Sequence, residues 1–70
     1  MNRKFDYSET IFSTVEQKRV FRLADECLLE IRLVESRKEG AVWRHEYEVK
    51  GEFGRIQKLL GRIKHIEVGE

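Results

Sequence analysis

Proline is absent from this 70-residue chain, so no turn is set by a fixed φ, and glycine and charged turn residues must make every reversal. Cysteine is nearly absent as well. Cys27 stands alone, which excludes an internal disulfide, and no CxxC pair or His/Cys cluster surrounds it to hold structural zinc. A lone thiol of this kind reads as a small buried apolar residue in a reducing compartment. Long apolar runs are missing too: uninterrupted stretches reach only two or three residues, too short for a membrane span or a signal-peptide core. The expectation is a cytoplasmic protein with no membrane partner. No repeat, low-complexity tract or linker is visible, and a chain this short buries only about 60% of its unfolded surface, so one small domain over 1–70 is expected.

What is present argues for a folded chain. Charged residues make up 39% and hydrophobic ones 40%, too apolar and too aromatic for a disordered polyelectrolyte. From Leu28 to Val49 the pattern alternates in two. Leu29, Ile31, Leu33, Trp43, Tyr47 and Val49 fall on odd positions, and Glu30, Arg32, Arg44, Glu46 and Glu48 on even ones. This predicts an antiparallel hairpin. A three-residue loop Lys38-Glu39-Gly40, with Gly40 in the left-handed conformation, sets Arg37 against Ala41, Leu33 against His45, Ile31 against Tyr47 and Leu29 against Val49, and pairs Arg32 with Glu46. A rival reading is one long helix from Thr14 to Glu39, because Val20, Ala24, Cys27, Ile31 and Val34 recur at spacings of four and three with Gly40 as a C-cap.

After the hairpin, Phe53, Ile56, Leu59, Leu60 and Ile63 form the stripe of an amphipathic helix that starts near Gly51 and lies across the apolar face of the sheet. Ile66 to Gly69 are expected to add a short strand. Toward the N-terminus Phe5, Tyr7 and Ile11 alternate as a strand does, and Ser13-Thr14-Val15-Glu16 has capping-box spacing for a helix through Ala24. The fold class is therefore α+β, a small antiparallel sheet with a C-terminal helix on one face. Its order is either the ferredoxin-like βαββαβ, or a β-meander plus helix in which Ile11–Val15 and Arg19–Ala24 are further strands. The meander gains from Lys4–Glu9 reading as an edge, since the first ferredoxin-like strand is central.

Two local patterns carry a resemblance. Gly51-Glu52-Phe53-Gly54 satisfies GxxG and resembles the backbone-clamping loop of KH-type RNA-binding domains, with two departures: the apolar residue after the second glycine comes one position early, and a strand rather than a helix precedes it. The run from Val49 to Val68 is similar to the strand-helix-strand ending of small ACT-like regulatory domains, a likeness of fold that carries no ligand motif.

Function is expected from charge placement rather than from a motif. Between Phe53 and Ile66 stand Arg55, Lys58, Arg62, Lys64 and His65 with no acid, so a net charge of +1 hides a basic helix able to meet phosphates or an acidic protein. An ordinary solvated helix face accounts for the same run. His45 and His65 lack metal-site spacing, and no nucleophile elbow, phosphate-binding loop or nucleophile with an adjacent base is present. No cofactor, metal or catalytic residue is expected. The reading is a non-catalytic binding module that self-associates or takes a protein partner through its sheet, with Trp43 and Tyr47 as candidate interface residues. The alternative is nucleic-acid binding through Arg55, Lys58, Arg62 and Lys64.

Overall fold

A computed structural model describes residues 6–69. Its elements run β1 (Asp6–Ser13), α1 (Gln17–Glu26), β2 (Glu30–Glu39), β3 (Val42–Glu52) and α2 (Phe53–Gly69). The class is α+β. Three antiparallel strands lie in the order β1-β3-β2, so β3 is central and β1 is an edge. Phe5, which begins the expected N-terminal alternation, lies outside the described residues.

The hairpin forms with a different turn and register. Two residues, Gly40 and Ala41, connect Glu39 to Val42, in place of the expected loop Lys38-Glu39-Gly40. Gly40 has φ +64° while Ala41 does not enter positive φ, the pattern of a turn whose first central residue must be glycine. The extra residue expected in the loop sits instead in mid-strand, where a bulge at Val34 separates Leu33 from Glu35 in the ladder. In consequence Leu33 faces Tyr47, Ile31 faces Val49 and Ser36 faces His45, and Arg32 meets Glu48 rather than Glu46, at 2.6 Å.

Inner rows cross the sheet as Glu9-Val49-Ile31, Ile11-Tyr47-Leu33 and Ser13-His45-Ser36. Over them pack Val20 and Ala24 of α1 and Ile56, Leu59 and Ile63 of α2, with Val15 and Cys27 closing the core at the connections. Cys27 is a buried free thiol. Among the described residues the long-helix and meander readings both fail: Gln17–Glu26 is helix where the meander needs a strand at Arg19–Ala24, and that helix ends before Glu30–Glu39 forms strand β2. The fourth strand expected at Ile66–Gly69 is also replaced. Ile66 continues the apolar stripe onto the core, and Glu67 reaches back to accept a hydrogen bond from Ser13 Oγ at 2.7 Å, so α2 runs on to Gly69. The capping box does not form either. Helix α1 begins after Glu16 with no side-chain cap, and Ser13 Oγ accepts from the Val15 amide at 3.0 Å instead.

Helix α1 stops in a Schellman-type closure, with the Leu28 amide donating to Asp25 and the Leu29 amide to Ala24, each at 3.0 Å. This places Leu28 at φ +60° with its side chain 71% exposed, a left-handed position that usually belongs to glycine. Leu28→Gly is expected to stabilise the fold by about 1 kcal/mol in urea denaturation, since it relieves backbone strain and uncovers no core. A loss of stability there would show that the leucine side chain makes native contacts.

Candidate functional site

At about 100° per residue, Arg55, Lys58, Arg62 and His65 fall along one side of α2, next to its buried stripe, while Lys64 lies on the opposite flank. The four cations expected to act together are thus divided. Arg55 pairs with Glu52 at 3.4 Å and Arg62 with Glu26 of α1 at 3.5 Å, both pairs about half exposed. Lys58, between them, has no ion-pair partner among the described residues. Helix α1 brings Arg19 and Leu23 to the same place, and with Lys58, Gly61, Arg62, His65 and Ile66 they line an open groove of about 410 Å³. Arg19 and Leu23 were not singled out in sequence. Their spacing of four marks one side of α1, but only the packing of α1 on α2 reveals which side meets the basic row.

The GxxG tetrad does not form a loop. Gly51 and Glu52 end β3, and Phe53 and Gly54 open α2, so no clamp of the KH type is built. The strand-helix-strand ending is likewise cut to strand-helix.

The two aromatic candidates separate. Tyr47 is fully buried in the central row, with the Phe21 ring edge-on at 5.8 Å, and offers no surface. Its hydroxyl finds no hydrogen-bond partner among the described residues, and burial pushes its pKa up to about 12. Trp43 is on the same face beside the first turn of α1, which leaves it 51% exposed. His45, buried below it, is hydrogen-bonded through Nδ1 to Ser36 Oγ at 2.7 Å.

The outer face of the sheet is wet and charge-paired. Arg32 bonds Glu48, Arg37 bonds Glu35 at 3.0 Å and Arg44 bonds Glu39 at 2.9 Å. The guanidinium of Arg32, then the hydroxyl of Ser8, hold the Glu48 carboxyl below its ordinary range. The two edges differ more than the faces do. Strand β2 carries the Val34 bulge and the charges Glu30, Arg32, Glu35, Arg37, Lys38 and Glu39, features that discourage edge pairing. Strand β1 pairs with β3 without interruption and between Tyr7 and Ser13 carries one charge, Glu9. There Tyr7 meets Phe53 of α2 in a tilted ring contact with centres 5.2 Å apart, both about half exposed, as is Phe12, and Val68 is 79% exposed. In the sequence the signal was the lack of charge from Thr10 to Val15, which the hairpin's stronger alternation overshadowed.

Among the described residues no group of His, Cys, Asp and Glu could hold a metal ion, and no helix is long and apolar enough to cross a membrane. Comparison with protein-family models, curated proteins and solved structures finds no match.

Replacing Tyr47 by Phe removes a buried hydroxyl that lacks a partner, so Tyr47→Phe is expected to be neutral or to stabilise by about 1 kcal/mol. The same change has a pH signature. The raised phenol holds its proton in the fold to about 12, while the unfolded chain releases it near 10.0, so stability is full below 10 and falls as pH climbs through that window. Urea midpoints across the alkaline range check this: the fall attributable to residue 47 is absent in Tyr47→Phe.

Proposed function

We propose that this chain is a non-catalytic binding module that self-associates through its sheet, edge strand β1 pairing antiparallel with β1 of a second copy. The observation that carries the reading is the contrast between a bulged, heavily charged β2 edge and a regular, nearly uncharged β1 edge.

A two-fold axis normal to the sheet keeps both copies' helices on one face and pairs inner residues with inner residues. Centred on Thr10, it sets Thr10 against its counterpart, Glu9 against Ile11, and Phe12 against Ser8 of the second copy. Centred one residue earlier, it would oppose Glu9 to itself, an unfavourable like-charge pair. A stable interface of standard size buries ~800 Å² on each partner, more than backbone pairing along one edge supplies. The flank of α2 above β1 can add to it. Phe53, Gln57, Leu60, Lys64 and Val68 form a stripe there, and α2 runs in the direction of β1, from the Tyr7–Phe53 contact to the Ser13–Glu67 hydrogen bond. The same axis brings Leu60 near its counterpart and Phe53 near Val68 of the second copy.

Nucleic-acid binding by Arg55, Lys58, Arg62 and Lys64 as one face has less support, since Lys64 lies across the helix from the other three.

Size-exclusion chromatography with light scattering tests the proposal. The expected mass is twice the 8.4 kDa of the chain, and a monomer at hundreds of micromolar would overturn it. In Thr10→Lys the new cation lies opposite Glu48 within the chain, which preserves the fold, but opposite another lysine across the axis. This variant is expected to be a folded monomer; a persistent dimer would move the interface away from β1.

A further inference from the structure

The groove between α1 and α2 lies on the flank of α2 away from β1, and the self-association proposed above leaves it open. Its lining joins two chemistries. Arg19, Lys58, Arg62 and His65 supply cationic or hydrogen-bonding groups, while Leu23 and Ile66 supply apolar surface. No acid lines it. Glu26, the one acid in an ion pair with Arg62, is at its rim and about half exposed. A volume of about 410 Å³ falls within the range of roughly 300–1,000 Å³ typical of small-molecule sites. We propose that this groove binds a small organic phosphomonoester, its phosphate held by Arg19, Lys58 and Arg62 and its body resting on Leu23 and Ile66.

Charge and shape favour that class. A phosphomonoester carries a charge of about −1.5 to −2 at neutral pH, and guanidinium groups match its oxygens with paired donors. A polyanion would draw on cations beyond the groove as well, whereas a phosphomonoester needs only those that line it. Toward the helix start Arg55 is tied to Glu52, and Lys64 is across the helix. Gly61 adds a steric argument. A Cβ built there meets nothing within 4 Å, so this position of α2 opens onto the groove rather than packing against α1. A bulky side chain at 61 would narrow the rim of the groove.

The test uses the full chain and isotope-edited NMR titration with adenosine monophosphate, inorganic phosphate, adenosine and a single-stranded oligothymidine. Adenosine monophosphate is expected to shift the amides of residues 19, 23, 58, 61, 62 and 65, inorganic phosphate to act on the same residues more weakly, and adenosine to do nothing. Lys58→Glu is expected to weaken binding by about tenfold or more through charge reversal. Gly61→Leu should block the groove sterically while favouring the helix, so lost binding with a retained or raised unfolding midpoint separates occlusion from misfolding. Lys38→Glu, the same charge change at the hairpin tip, should leave binding intact.

The proposal is overturned if neither phosphate nor the monophosphate perturbs the groove, or if Lys38→Glu weakens binding as much as Lys58→Glu. It also falls if Gly61→Leu binds normally. Oligothymidine binding that shifts residues 55 and 64 without any response to the monophosphate would replace it with the nucleic-acid reading. Because Lys58 lies on the side of α2 away from β1, the oligomeric state of Lys58→Glu measured in parallel keeps this result distinct from the dimer test.

Discussion

Two short helices can roof only one face of a three-stranded sheet, and the whole architecture follows from that shortage of cover. The roofed face is organised around the row Ile11-Tyr47-Leu33 on the central strand, with Tyr47 the largest side chain taken wholly out of water. Burying a ring of this size is a major gain for a small core, and it comes with a hydroxyl that has no partner among the described residues. The unroofed face has to be wet. Its rows, such as Thr10-Glu48-Arg32 and Phe12-Glu46-Glu35, are mostly polar and tied by exposed ion pairs. Such pairs contribute little to stability individually, so they serve mainly to keep that face soluble and the strands in register.

The same shortage leaves both sheet edges open and makes their treatment informative. One edge is guarded by charge and a bulge, the other is plain, and α2 borders the plain one with apolar side chains at both its ends. Helix α2 therefore has three distinct sides: a buried stripe on the sheet, a flank over β1, and a flank that forms the basic groove with α1. The two proposed roles occupy different flanks, so a molecule could perform both at once.

Much of the fold was legible in the sequence because strands and helices differ in apolar period. The alternation through Leu29, Ile31, Leu33, Tyr47 and Val49 and the three-four spacing of Ile56, Leu59 and Ile63 each identified their element. Register was not legible, because one residue can be accommodated either in a loop or in a bulge, and only the neighbouring strand decides which. The Leu33–Tyr47 pairing places an apolar side chain against the core tyrosine where the expected register put His45 against Leu33. The end of α2 was misread because Ile66 and Val68 alternate as in a strand, while the competing bond from Ser13 to Glu67 spans 54 residues and leaves no local trace. Of the basic groove, Lys58 and Arg62 were visible as charges, but Arg19 becomes their neighbour only when two separately encoded helices pack together.

The bulge at Val34 also bears on how this chain tolerates change. Below it the ladder is pinned by the core; above it only the Ser36–His45 row is covered, and from Arg37–Arg44 the two strands run exposed to the Gly40-Ala41 turn. The bulge absorbs a one-residue change of register, so that odd positions of β2 face inward below it and even positions above it. Residues added or removed in matched pairs near the tip alter the exposed stretch and leave Ile11, Tyr47 and Leu33 aligned. The tip thus lies outside the stretch of hairpin whose register the core sets.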